Sequence, residues 1–486
     1  MSAPTSYPSR NFIAGEWRAA ASGATFAKLA PTSGAVLAEV ANSGAADVDA
    51  AVASARAQFD GGEWSRLPGA ERGRLLNKLA DLLARDAERF AHILAMEQGR
   101  PLMEMRMLDL PMSIDTLRYF AGWADKLEGR QIPTAGFMGR PTLNYTLREA
   151  IGVAALIVPW NAPLMIGIWK LAPALAAGCA VVLKPSEDAP LALTALAELA
   201  AEAGFPAGVF NLVNGMGPEA GATLVKHPGV DKISFTGSTE VGRIIAREAA
   251  PLFKRLTLEL GGKAPQIICA DANLDIAIMG VAMGLFVNQG QTCAAGTRIL
   301  VHRSRYDDVV GALAGAAKSV TLGDPLDAGT RMGALINARH RDRVAGLIQS
   351  GVAEGASLVA GGEALPDSGF FVRPTVFAGG TPEMRIMREE IFGPVGVVVP
   401  FDSDEEAVKL ANDTPFGLSA SLWTQDVVRA HTLAPKLRVG AVAINGWSPL
   451  DARLPWGGYK DSGVGRDLSR LALDAYTEEK VVSLVM

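Results

Sequence analysis

The sequence predicts an α/β fold of two parallel-sheet domains and a small β arm, and three observations carry that prediction. Short β-rich runs alternate with Ala- and Leu-rich helical stretches over residues 151–245. A second alternation begins near "LELGGKAPQIICADANLD", and "GRQIPTAGFMGRPTLNYTLRE" (129–149) interrupts the rhythm ahead of the first sheet. Strands that alternate with helices imply βαβ units, and βαβ units imply parallel sheets.

In chain order, the first strong signal lies between Pro68 and Gly99. Leu75, Leu76, Leu79, Leu82, Leu83, Phe90, Ile93 and Leu94 recur there at helical spacing, and Gly99 with Pro101 closes the run. This predicts an amphipathic helix on a core. The Gly- and Pro-marked segment at 129–148 predicts a pair of strands outside the βαβ rhythm, an arm. "GVAALIVPWN", "CAVVLKPSE", "GVFNLVNG" and "KISFTGS" predict strands, with helices near 163–177, 189–203 and 217–226. The second region continues through "RILVHRSRYDDVVGAL" and "IFGPVGVVVPFDSDEEAVKLAN". No internal repeat or low-complexity tract is present.

Composition narrows the function. A chain of 486 residues, 49% hydrophobic and 20% charged, is long and apolar enough for two or three domains with large cores. A net charge of -5 with no long Lys/Arg run argues against nucleic acid or an anionic membrane as partner. "MSAPTSYPSRNFIAGEW" lacks the apolar stretch of a leader, and the longest apolar run, Leu171–Leu183, is too short to span a bilayer. These features predict a cytoplasmic protein. The three cysteines, Cys179, Cys269 and Cys293, form neither a disulfide framework nor a C-x-x-C metal pattern, and no metal site is expected.

Cys179 and Cys269 lie in apolar runs, where a thiol serves as a small hydrophobe. Cys293 differs: in "NQGQTCAAGTR" its neighbours are small or polar, so it reads as an accessible thiol, with core filling as the alternative. "SFTGSTEVGRIIARE" places Gly237 and Ser238 between a strand and a helix with Val241, Ile244 and Ile245 on one side. Backbone amides at such a helix start can hold a pyrophosphate. A Gly-Ser turn with a hydroxyl cap fits the same residues equally well. Lys184 and Glu187 follow a strand and suit ribose hydroxyls, although alone they also fit a solvated loop. "ELGGKAP" lacks the spacing of a phosphate loop. A thiol needs activation to react. The five histidines carry no cysteine-protease signature, whereas Glu259 ends a β-rich run before Gly261-Gly262 and offers a candidate base.

Seven motifs then resemble, in order, those of the aldehyde dehydrogenase superfamily. They are "PWNAPL" (159–164), "LKPSE" (183–187), "FTGSTEVG" (235–242), "LELGGKAP" (258–265), "GQTCAAGTR" (290–298), "EEIFGPV" (389–395) and "LPWGGYKDSGVGRD" (454–467). The resemblance runs from Phe12 to the C-terminus. It implies Cys293 as nucleophile, Glu259 as general base and Asn161 as the amide that shares an oxyanion hole with the Cys293 N–H.

The resemblance also implies NAD as cofactor, with NADP possible. Ile157, Trp160, Lys184, Glu187, Gly237, Ser238, Val241, Leu260, Glu390 and Phe392 would bind it. Ala162, Ile166, Trp169, Val287, Thr292, Leu450 and Trp456 would line the aldehyde tunnel. Two departures stand out: Ala162 replaces a common aromatic residue and should widen the tunnel, and His340 stands where many relatives have a glutamine against the nicotinamide ribose. The implied fold is a Rossmann-like NAD-binding domain (1–127 and 149–258), a catalytic domain (259–470) and an oligomerisation arm (128–148 and 471–486) that builds a homo-oligomer, a tetramer before a dimer. The implied reaction oxidises a small-molecule aldehyde, expected to be hydrophobic or aromatic, through a thioester that water hydrolyses. Glu259 argues against a CoA-acylating relative, and the retained Cys293, Glu259 and Asn161 argue against a non-catalytic protein on the same fold.

Overall fold

The computed structural model describes residues 7–363, 365 and 369–486. The first six residues, part of the stretch read as lacking a leader, lie outside that description. The first sheet has the strand order Gly463–Val464, Arg255–Glu259, Lys232–Thr236, Val153–Ile157, Ala180–Lys184, Phe210–Leu212, Asn11–Ile13, Glu16–Arg18. Its central pairings are parallel and its outer ones antiparallel. Val153–Ile157, Ala180–Lys184 and Lys232–Thr236 are buried at every position, because helices cover both faces of a parallel sheet. Pro163–Ala177 and Leu191–Ala203 are helices where the sequence predicts them.

The second sheet runs Ser357–Ala360, Thr375–Ala378, Val395–Phe401, Arg298–His302, Pro265–Ile268, Ser419–Trp423, Ala441–Ile444. All its pairings are parallel except the first. The Gly463–Val464 strand, inside the region expected to belong with this second sheet, instead closes the edge of the first, with Glu259 opposite Gly463. Among the described residues no helix is long and apolar enough to cross a membrane.

Two local expectations need correction. The run from Pro68 to Gly99 is two helices, Gly69–Arg85 and Ala87–Gln98, broken at Asp86. Leu83 and Phe90 are seven residues apart, close to two helical turns, so the apolar stripe keeps its phase across the break and conceals it. The segment at 129–148 contributes one strand rather than the predicted pair. Thr142–Ala150 pairs antiparallel with Thr477–Val485 along its whole length, while residues 129–141 make only isolated bridges, Gln131 to Tyr145 and Phe137 to Arg140. Pro133 and Pro141 lack an N–H, and Gly136 and Gly139 adopt φ of 89° and 78°, so this stretch turns instead of extending.

Candidate active site

The carboxyl ends of the parallel strands bring together residues that are distant in sequence. Ile157 lies level with Lys184 and Phe235, and Glu259 with Thr236, so Ile157, Lys184, Gly237 and Leu260 share one edge of the sheet. Ligands of open α/β sheets bind at this edge. Lys184 Nζ reaches Glu187 Oε2 at 3.3 Å, and Glu187 Oε1 accepts the Gly217 N–H at 3.5 Å. Burial pushes the Glu187 carboxyl up, but Lys184 and backbone N–H groups, that of Gly217 among them, together outweigh it and hold the group below the ordinary range.

Gly237 is required for its size: a Cβ there would lie 2.4 Å from the Phe235 ring. Its N–H is already given to Glu259 O at 3.0 Å, and Ser238 Oγ caps the Thr239–Ala249 helix by accepting the Val241 N–H. The first-turn amides left open to an anion are therefore those of Thr239 and Glu240. The grouping predicted for this helix also changes. Ile245 packs on the sheet, whereas Val241 and Ile244 remain 41% and 42% exposed. They leave apolar surface exposed on the helix that follows Gly237 and Ser238.

Cys293 follows a strained loop. Asn288 and Gln289 adopt φ of 53° and 55°, left-handed values that non-glycine residues hold only when their surroundings impose them. Gln289 Nε2 donates to Ala334 O and Gly99 O, Gln291 Oε1 accepts the Ile336 N–H, and Trp447 Nε1 donates to Ala294 O. Asn161 Nδ2 donates to Gln291 O at 2.9 Å. One N–H of the amide is thereby used and the other is left for a ligand.

A cavity of about 810 Å³ contains Cys293, Glu259 and Asn161 in its lining. Ala162, Ile166, Trp169, Val287, Thr292, Leu450 and Trp456 line it as well. The Trp169 and Trp456 rings meet edge to face at 6.5 Å. Met107, Leu108 and Met283, all exposed, also line this cavity. Sequence reading missed these methionines because nothing local marks them as neighbours of the thiol.

Both oxygens of Glu259 are buried without a hydrogen-bond partner. Burial, reinforced by Asp467, pushes its carboxyl well above the ordinary range, against the opposing charges of Lys170 and Arg466. Lys170 is itself fully buried, donating to Asp467 Oδ2 at 2.7 Å and Ser234 Oγ at 3.2 Å. It is the only charged residue of the Pro163–Ala177 helix, a signal present in the sequence and not used. Burial, with Glu390 and Glu259 nearby, pushes the Cys293 thiol up to about 12.

Glu390 and Phe392 lie on a segment clamped from the Ala338–Ala353 helix. Arg343 donates to the carbonyls of Glu390 and Ile391 at 2.6 and 2.9 Å, and His340 Nε2 lies 2.7 Å from Phe392 O. Burial lowers the His340 imidazole to about 4, so the ring is neutral at physiological pH and its Nε2 carries the proton it donates. Phe392 is held at φ 59°. Trp160 packs edge to face on both rings, at 5.3 Å from His340 and 5.2 Å from Phe392. His340 thus supports the Phe392 carbonyl and the Trp160 face, a role that its place in the sequence did not reveal.

Fold and cavity together define an α/β enzyme with a dinucleotide-type sheet edge next to a cavity that holds a thiol. The model of the aldehyde dehydrogenase family matches residues 17–482, and the chain belongs to that family. It is 46% identical to human retinaldehyde dehydrogenase 3 over 475 residues, 97% of this chain and 92% of the relative. An NAD+ complex of aldehyde dehydrogenase from Bacillus cereus is 46% identical and superposes with a TM-score of 0.96, over 98% of this chain and 96% of that one. Betaine aldehyde dehydrogenase from Staphylococcus aureus, in complex with NAD+, is 38% identical with a TM-score of 0.96, over 98% and 94% of the two chains.

Proposed function

We propose that the protein oxidises a hydrophobic or aromatic aldehyde to the carboxylic acid with NAD, through a thioester on Cys293. The observation that carries this reading is the meeting of a thiol, an unpartnered buried carboxylate and a side-chain amide in one cavity lined largely by apolar groups. NAD supplies the hydride acceptor. The sheet edge with Lys184, Glu187, Gly237, Ser238 and Val241 would hold its adenosine and pyrophosphate, and Trp160, Leu260, Glu390 and Phe392 its nicotinamide end.

The chain's own groups do the rest. The Cys293 thiol gives its proton to solvent water, and the thiolate sulfur adds to the aldehyde carbon, forming a thiohemiacetal. The oxygen that becomes negative is met by the Asn161 amide and the Cys293 N–H; removal of one such donor costs ~10²- to 10³-fold in rate. Loss of hydride leaves a thioester. Glu259, whose raised carboxyl makes it a stronger base once ionised, removes a proton from water, which attacks the thioester and frees the acid.

Ala162, Ile166, Trp169, Val287, Leu450 and Trp456 give the cavity an apolar wall, and the human relative named for retinaldehyde supports a large apolar substrate. The two sheets support a division into an NAD-binding domain (1–127 with 149–258), a catalytic domain (259–470) and an arm (128–148 with 471–486), with the Gly463–Val464 strand crossing from the second region to the edge of the first sheet. On the arm, Leu147, Val481, Leu484 and Met486 are exposed; an apolar strand edge is covered by pairing with another chain, which supports a homotetramer. Three free thiols support the reducing cytoplasm.

The test is NADH formation with a panel of aldehydes, with and without CoA. Fast turnover of apolar aldehydes without CoA is the expected result. A strict need for CoA overturns the hydrolytic reading, and a preference for charged aldehydes overturns the substrate class.

A further inference from the structure

The loop that presents Cys293 is held from a part of the chain outside the chemistry described above. The Asn288 N–H, in left-handed backbone, donates to Glu104 Oε2 at 3.0 Å. Glu104 accepts Arg100 Nε at 2.6 Å, and Arg100 Nη1 pairs with Asp109 Oδ2 at 2.7 Å. Arg100 and Asp109 are almost fully buried and line the same cavity as the thiol. Asp109 closes a π turn, Met105–Asp109, a winding that concentrates at functional sites.

From Asn288 the contacts run directly to the proposed oxyanion donor. Asn288 Nδ2 donates to Asn161 O at 2.7 Å and to Gln291 O at 3.2 Å, and Gln291 O also accepts Asn161 Nδ2 at 2.9 Å. An amide is planar, so fixing one N–H on Gln291 O fixes the direction of the other. The orientation of the Asn161 amide therefore depends on where Gln291 O sits, and Asn288 helps to set that.

We propose that Arg100 and Glu104 are positioning residues for oxyanion binding, acting through Asn288 and Gln291 O on the Asn161 amide. This rests on the reading of Asn161 given under Proposed function. A charged acceptor suits the task, because an ionised carboxylate holds a backbone N–H about twice as strongly as a neutral group. Burial pushes the Glu104 carboxyl up and the Arg100 guanidinium opposes that push, favouring the ionised form; loss of the guanidinium would favour the protonated carboxyl and loosen its hold on the strained loop.

The test is a double-mutant cycle of Glu104→Gln and Asn161→Ala. It is read as single-turnover NADH formation with enzyme in excess, alongside NAD affinity and thermal melting. Glu104→Gln alone should slow the single turnover ~10-fold, within the range for groups that orient a reactive residue, with NAD affinity unchanged. On the Asn161→Ala background it should cost less than about twofold more, since the group it positions is gone. Equal losses in both backgrounds, or no loss alone, overturn the proposal while leaving Asn161 in its role. An unimpaired single turnover in Asn161→Ala overturns the reading of Asn161 and the proposal with it. If Glu104→Gln fails to fold, Glu104→Asp, which keeps the charge and shortens the reach, takes its place in the same cycle.

Discussion

Glu390 Oε1 accepts the Gly262 N–H at 2.9 Å, and its second oxygen lies 2.5 Å from where a side chain on Gly261 would begin. The glycine pair thus joins the segment carrying Glu390 to the turn that follows Glu259. Its other neighbour is the thiol loop, since a Cβ on Gly262 would fall 2.2 Å from Cys293 O.

Gly262→Ala should therefore displace the nucleophile's backbone. A misplacement near 1 Å costs ~10²-fold in rate, and kcat should fall by about that factor while the protein stays folded. Wild-type kcat in a variant with normal melting would contradict the contact.

With Glu259 as the proposed base, the pH dependence of hydrolysis follows from its surroundings. Its carboxyl is pushed well above the ordinary range by burial and by Asp467, and a base acts only when ionised, so deacylation should be lost as pH falls and should rise as pH increases beyond the usual carboxylate range. Asp467→Asn removes one of the upward pushes and should move the rise to lower pH. In Glu259→Gln the rise should vanish, with a fast burst of NADH followed by a much slower steady state. A collapse of the burst rate as well would assign Glu259 to an earlier step.

Much of this site was legible because its motifs sit at strand ends, where a short apolar run followed by Gly, Ser or a charge marks both the strand and the edge. Lys184, Gly237 and Glu259 are marked that way, whereas Ile157 enters only through the family resemblance. The groups that hold those residues were not: Glu104 reaches Asn288 and Arg343 reaches Glu390 across long separations in sequence, and neither pair has a local pattern. Ile244 was misplaced because helical spacing identifies neighbours on a helix without saying where the sheet beneath it ends. The partner of Thr142–Ala150 is the C-terminal strand, a pairing that no local window contains.

On the proposed reading of the cofactor site, cofactor choice turns on Glu187. A carboxylate beside the adenosine ribose accepts hydrogen bonds from a 2'-hydroxyl but repels a 2'-phosphate. At an effective dielectric near 20, like unit charges ~4 Å apart repel by about 4 kcal/mol before screening. The ion pair with Lys184 and the Gly217 N–H tether Glu187 at the site. NAD should be preferred by kcat/KM, and Glu187→Gln should raise NADP use. Parity of the two cofactors in the wild type would show that Glu187 does not govern the choice.

The central claim is that Cys293 carries the acyl group, and trapping that group tests it most directly. Glu259→Gln enzyme, given NAD and one apolar aldehyde, should accumulate an adduct whose mass equals the acyl group of that aldehyde, mapped by peptide mass spectrometry to the "GQTCAAGTR" segment and absent when Cys293→Ser is added. NADH formed with no adduct on Cys293, or with the acyl group on another residue, would contradict the account.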